Sequence, residues 1–192
     1  MKKILLALAV VALGFTANAQ FSLHVGYANS MLHSTYEAYG ASDSETDNFS
    51  GFYLGGTYYY NIQNHFGLEC GINAIFTTGD ETNKLALNIP IEASYRIPLN
   101  SDLSLTVLAG PSIDFGLLWK DTEDDVSLYD SDGLDAKRFN IMLQAGLRLN
   151  YNQWGLNLTY QYGLLNLVDF DYAQVNVKVK ESRLLVGLSY AF

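Results

Sequence analysis

The 192-residue chain has few of the residues that several common protein classes require. It contains one cysteine, Cys70, so an intramolecular disulfide and a metal site built from several cysteines are both excluded. It also has only 11 lysine and arginine residues against 20 aspartate and glutamate residues. Because nucleic-acid phosphates are bound by basic surfaces, this charge balance argues against a nucleic-acid partner.

Long apolar runs are also missing, since none reaches the roughly 20 residues that a membrane-spanning helix needs. The run Ile4–Leu13 follows two lysines and precedes the small residues Ala17-Asn18-Ala19. A charged start, a short apolar stretch and an A-x-A cleavage site are typical of a secretory signal peptide. We therefore expect residues 1–19 to be a signal peptide and residues 20–192 to form one exported domain.

Eight segments of the exported part alternate between apolar and polar residues with the period of two that is typical of β-strands. They cover residues 21–28, 52–60, 66–77, 85–97, 103–117, 139–151, 154–163 and 183–192. Their connections alternate between tight turns, at 61–64, 98–102 and 152–153, and longer loops, at 32–50, 78–84, 119–137 and 166–177. This pattern predicts an all-β fold, an eight-stranded antiparallel up-and-down transmembrane β-barrel.

The composition of the polar face indicates which side of the predicted barrel is outside. A soluble barrel would carry lysine and glutamate there, but this face is mainly glycine, serine, threonine, asparagine and glutamine. Such groups suit the crowded interior of an eight-stranded barrel. The apolar face carries aromatic residues towards both ends, as in the aromatic girdles at membrane interfaces. We therefore expect the apolar face to contact lipid.

The last strand carries the most specific pattern. Gly187, Tyr190 and Phe192 match the Gly-x-x-aromatic-x-aromatic signal that the barrel-assembly machinery reads in outer-membrane barrels. The exported part resembles the small eight-stranded barrels of the OmpX and OmpA membrane-domain type, and most of all the porin-like "outer membrane protein beta-barrel" family common in Bacteroidetes. The resemblance implies a monomer in the outer membrane of a Gram-negative bacterium, with outer-membrane lipid or lipopolysaccharide and the assembly machinery as partners.

Five charged residues of the predicted spanning segments face inwards: Glu69, Glu92, Arg96, Arg148 and Arg183. Isolated charges are costly in a narrow lumen, so we expect them to form a polar network that closes the barrel. Its expected centre is Glu92 with Arg96 or Arg148, and it includes Glu69, while Arg183 lies closer to the long loops. The alternative is a gate that opens a narrow diffusion channel when its charges change partners.

The sequence indicates no catalytic, cofactor or metal site. His33 lies close in sequence to Ser30 and Ser34, and some eight-stranded barrels modify lipid A through serine and histidine, but no motif surrounds these residues. The acidic loop at 119–137 has the carboxylates for weak binding of a divalent cation, although a solvated loop is the simpler interpretation. We expect a protein that is not an enzyme, and we keep the lipid A-modifying barrel as an alternative.

The long loops are the expected place of any specific recognition. The loops at 32–50 and 119–137 are polar and rich in glycine, serine and aspartate, so we expect them to be mobile and outside the cell. Their acidity favours cationic peptides or divalent ions over anionic partners. The preferred interpretation is therefore an integral barrel with a structural role or a surface interaction through these loops.

Overall fold

A computed structural model describes residues 19–38, 41–79, 82–121, 127, 129, 137–172 and 175–192. The predicted signal peptide and most of the acidic loop at 119–137 lie outside these residues. The strands are β1 (Ala19–Ala38), β2 (Ala41–Gln63), β3 (Phe66–Thr78), β4 (Thr82–Pro98), β5 (Leu103–Asp121), β6 (Phe139–Tyr151), β7 (Trp154–Gly163), β8 (Val168–Tyr172) and β9 (Val175–Ala191). No helix in this part of the chain is long and apolar enough to cross a membrane.

The strands form one closed antiparallel ring. From β1 to β7 each strand pairs with the next along the chain, β7 pairs with β9, and β9 pairs with β1. The short strand β8 pairs with the outer part of β9, where Val168 is opposite Val179. It therefore continues the line of β7 and adds no ninth position to the ring. The prediction of an eight-stranded up-and-down barrel is confirmed.

The two faces of the ring differ as the period of two predicts. Along β6, exposed and buried residues alternate almost without interruption. Outward side chains such as Val25 and Leu54 are more than half exposed, whereas the inward Asn88 and Asn140 are fully enclosed. An apolar surface that surrounds the whole barrel is suited to lipid and not to water. The closed ladder also satisfies the backbone polar groups that lipid leaves without partners.

The strands extend further at the long-loop end than the sequence pattern predicts. Residues 32–38 and 41–50 were expected to form a loop, but they continue the ladder between β1 and β2 up to Ala38 opposite Ala41. Similarly, β8 and the first residues of β9 occupy most of the predicted loop at 166–177. The loop predictions are wrong there because ladder hydrogen bonds join backbone groups, which polar side chains do not interrupt.

The short connections at the other end are tight turns, as predicted. Asn64 and Asn152 adopt positive φ angles of 48° and 53°, which asparagine tolerates better than most residues. In the third turn, Asn100 Oδ1 accepts hydrogen bonds from the backbone N–H groups of Asp102 and Leu103, at 2.9 and 2.7 Å. We call this end of the barrel the short-turn end.

The seam between the first and last strands is fastened by aromatic residues at the short-turn end. The backbone N–H of Phe192 donates to the carbonyl of Phe21 at 2.9 Å, and the two rings stack with centroids 6.2 Å apart. The ring of Tyr190 meets Phe192 edge-on at 5.0 Å. The terminal residue therefore contacts both strands that close the ring.

We predict that Phe192→Ala lowers the fraction of protein that assembles, because it removes the ring contacts at the seam and the aromatic end of the assembly signal. The folded fraction can be measured in membranes from the heat-dependent migration of the barrel on gels. Phe139→Ala is the matched control, because Phe139 is also an outward aromatic but lies away from the seam. Equal folded fractions in the two variants would contradict the prediction.

Candidate functional site

The inward charges nearer the short-turn end form one ion pair, which we call the lower ion-pair layer. Arg148 of β6 donates from Nη1 and Nη2 to the two carboxylate oxygens of Glu69 of β3, at 3.1 and 2.9 Å. Its Nε also donates to Asn157 Oδ1 at 2.6 Å. Glu69 is 2% exposed and Arg148 9%. This two-pronged geometry links non-adjacent strands through the lumen.

A second group of charges nearer the long loops forms the upper ion-pair layer. Arg183 donates from Nη1 and Nη2 to the carboxylate of Asp114, at 2.6 and 2.7 Å, and from Nε to Glu181 Oε1 at 2.9 Å. Lys84 Nζ donates to the other oxygen of Glu181 at 2.5 Å. Two cations therefore balance two carboxylates in a group that is almost completely enclosed.

Mostly uncharged side chains fill the lumen between the two layers, and Glu92 is the acidic exception. Gln161 Nε2 donates to Gln144 Oε1 at 2.7 Å and to Asn88 Oδ1 at 3.2 Å. An apolar cluster of the buried residues Ala28, Tyr53, Ile75 and Leu185 lies in the same part of the lumen. The cavity that remains in this region has a volume of about 40 Å³. This volume is small beside the continuous path that a conducting pore needs.

Apolar residues cover the upper ion-pair layer, and we call this group the cap. Leu32, Trp119 and Leu167 are buried against one another, and Phe49, Tyr129 and Val179 pack around them. The Trp119 ring meets the Tyr129 ring edge-on at 5.8 Å and lies 5.1 Å from Lys84 Nζ. Burial, followed by the carboxylates of Glu181 and Asp114, raises the pKa of the Tyr129 hydroxyl, so the cap adds no charge.

The predicted network has a different centre in the structure. All five predicted residues lie on the inward rows, but the ion pair is Glu69 with Arg148, and Glu92 forms none among the described residues. Glu92 is opposite Glu69 in the β3–β4 register, so both carboxylates lie near the same guanidinium, and Glu69 holds both of its outer nitrogens. The prediction that Glu92 is the centre is therefore wrong. Arg96, the other predicted partner, is also without an ion pair in this part of the chain.

Sequence reasoning missed Lys84 and Glu181 and placed Asp114 in no network. All three residues lie on the inward-facing rows that the period of two defines. Glu181 lies two residues before Arg183 on β9, and Lys84 lies on the same row of β4 as Asn88. Lys84 was missed because it was assigned to the expected loop at 78–84, and Glu181 because the last predicted strand began only at residue 183. Asp114 lay within the predicted strand 103–117, but no partner was assigned to it.

His33 does not contact the serines near it in sequence. Ser30 and Ser34 face the lumen, whereas His33 faces outwards, and its Nε2 lies 2.9 Å from the hydroxyl of Ser182. Its Nδ1 lies 3.1 Å from the hydroxyl of Thr46. Ser182 is fully enclosed, and a threonine stands where a catalytic group of this kind would use a carboxylate.

No cluster of metal-ligating side chains is present among the residues that the structure describes. The carboxylates of the acidic loop at 119–137, for which weak cation binding was considered, lie outside those residues. The single cysteine, Cys70, is free and faces outwards.

Comparisons with known proteins agree with this architecture. The family model described as "Outer membrane protein beta-barrel domain" matches residues 4–192. No curated protein matches the chain. Among solved structures, the outer membrane protein OprG from Pseudomonas aeruginosa is 13% identical, with 91% of this chain and 96% of that chain covered and a TM-score of 0.50. Neisserial surface protein A is 17% identical, with 91% and 99% covered and a TM-score of 0.48. Ail of Yersinia pestis is 19% identical, with the same coverage and a TM-score of 0.43.

The lower ion-pair layer allows a matched pair of substitutions. Glu69→Gln leaves the enclosed Arg148 without its carboxylate, so we predict that the free energy of unfolding falls by about 3–5 kcal/mol. Glu92→Gln, which neutralises the opposite carboxyl group but breaks no ion pair, should cost much less. Equilibrium urea unfolding of the refolded barrel in lipid vesicles measures both. Equal losses in the two variants would show that the Glu69–Arg148 pair does not stabilise the lumen.

Proposed function

Because the chain belongs to the outer membrane protein beta-barrel family and is thereby placed in the outer membrane of a Gram-negative bacterium, we propose that it is a closed, non-enzymatic barrel that acts through its outer surface. The observation that carries this proposal is the pair of ion-pair layers that cross the lumen. The barrel then serves as a rigid support for the strands that extend beyond the membrane.

Three successive barriers support a lumen that does not conduct. An ion or solute that moves through the barrel would have to displace the Glu69–Arg148 pair, the Arg183–Asp114 pair and the apolar cap. Separating enclosed charges exposes each of them to an environment with few compensating groups, which is costly. A narrow diffusion channel would therefore need all three to rearrange together.

The extended hairpin of β1 and β2 supports a role at the surface. Asp43, Glu45 and Asp47 lie at alternate positions of β2, so they form one row on the same face, and all three are exposed. A row of carboxylates on a paired strand attracts cations or cationic peptides more than anionic partners. This proposal keeps the surface interaction expected from the sequence but places it on an ordered hairpin.

A lipid A-modifying enzyme is the second candidate function, and one observation bears on it. The His33–Ser182 contact has the distance of a base and a nucleophile, and His33 faces outwards from the barrel. However, the enclosure of Ser182 and the threonine on Nδ1 weigh against reactivity. Mass analysis of lipid A from cells that express the protein distinguishes the two, because altered acylation that is lost in Ser182→Ala would favour the enzyme.

We predict that the mature barrel, inserted in planar bilayers, produces no stepwise current, because the lumen stays blocked at every level. A general diffusion porin in the same bilayers serves as the positive control for detection. Recovery of folded barrel from the membrane shows that insertion took place. Reproducible current steps from the pure protein would contradict the closed lumen and favour the channel.

We also predict that a polylysine peptide binds the protein in micelles with an affinity that falls as salt rises, because exposed charges are screened. Replacing Asp43, Glu45 and Asp47 by asparagine and glutamine should weaken this binding. The control is Asp102→Asn, which removes an exposed acid at the short-turn end. If the control weakened binding as much as the triple variant, the attraction would not arise from the hairpin.

A further inference from the structure

A cavity of about 140 Å³ lies at the short-turn end of the lumen, and we call it the vestibule. The lower ion-pair layer forms one of its walls, and the turn at 152–153 and the ends of β1 and β9 form others. Short turns face the periplasm in outer-membrane barrels, so the vestibule faces that compartment. Beyond its Glu69–Arg148 wall, the upper ion-pair layer also crosses the lumen. The vestibule is therefore a pocket and not the entrance of a pore.

Arg96 lines the vestibule and differs from the other inward-facing cations of the described residues. Lys84, Arg148 and Arg183 each contact a carboxylate, but Arg96 contacts none. Its guanidinium carbon lies 5.6 Å from the centre of the Tyr59 ring, and its Nε is enclosed without a hydrogen-bond partner. Its backbone N–H donates to the carbonyl of His65 at 2.8 Å, which fixes the base of the side chain.

The carboxylates near the vestibule do not compensate this charge. Both oxygens of Glu69 are held by Arg148, and Glu92 lines the smaller internal cavity and not the vestibule. The other lining groups include the hydroxyls of Ser22 and Ser104 and the amide of Asn152, which carry no charge. The vestibule thus combines the guanidinium of Arg96, which has no ion pair among the described residues, with the ion pair of Glu69 and Arg148 and with neutral polar groups.

We infer that the vestibule is a binding site for a small oxyanion, a carboxylate or a phosphate, held by the guanidinium of Arg96. The planar fork of arginine matches both kinds of oxyanion with two parallel hydrogen bonds. A cavity of roughly 150 Å³ accommodates one molecule the size of benzene, so inorganic phosphate or a short carboxylate fits and a lipid does not. The site does not depend on whether the lumen conducts.

The test is a titration of the full mature barrel in micelles with inorganic phosphate and, separately, with acetate, at constant ionic strength. Nuclear magnetic resonance follows the Nε–H of Arg96 and the backbone N–H of Ser104. We expect saturable shifts at both positions with at least one anion, and the anion that binds more tightly identifies the ligand class. Saturation by neither anion would overturn the inference.

Two variants and a control locate the binding. Arg96→Gln should weaken it by roughly tenfold or more, and Arg96→Lys, which keeps the charge but loses the fork, should weaken it less. Lys178→Gln removes the same charge from an exposed position at the opposite end of the barrel and should leave the affinity unchanged. If Arg96→Gln folds, as heat-dependent migration on gels reports, and binds as well as the parent, the site is not in the vestibule.

Discussion

Every backbone N–H and C=O group that crosses lipid must find a partner within the protein, and the rest of this structure depends on that constraint. The closed ladder from β1 to β9 meets it, because it leaves no free edge at the level of the membrane. Closure then divides the side chains into an outer apolar face and a narrow inner space. The polar and charged side chains must then fit together in that inner space.

The inner space has little room for water, so a charge there needs a partner of opposite sign at close distance. Arg148 and Arg183 find theirs on strands that are not their neighbours in the ladder. These contacts connect opposite parts of the barrel wall. Because they cross the lumen, they also block it. Arg96 lies where the lumen opens to solvent, so its charge can remain without a protein partner and can serve an incoming anion.

The sequence was sufficient for the strands, the two faces and the inward position of the five charges, because each depends on local alternation. The sequence was not sufficient to identify which charged residues form ion pairs with one another. Whether Arg148 meets Glu69 or Glu92 depends on the stagger of the strands around the ring, which the period of two does not contain. Strand ends beyond the membrane were also missed. In β1 and β2 the side chains there are mostly polar on both faces, so the alternation of apolar residues disappears. At the start of β9, Val175, Val177 and Val179 do alternate with polar residues, and that pattern was overlooked.

The central claim is that charges paired across the lumen hold the barrel closed, and a double-mutant cycle on Asp114 and Arg183 tests it most directly. Asp114→Asn, Arg183→Gln and the double variant are unfolded by urea in lipid vesicles, and the interaction energy follows from the four free energies of unfolding. The account predicts a favourable interaction energy of about 1–3 kcal/mol between the two side chains. Losses that simply add, within about 0.5 kcal/mol, would contradict it.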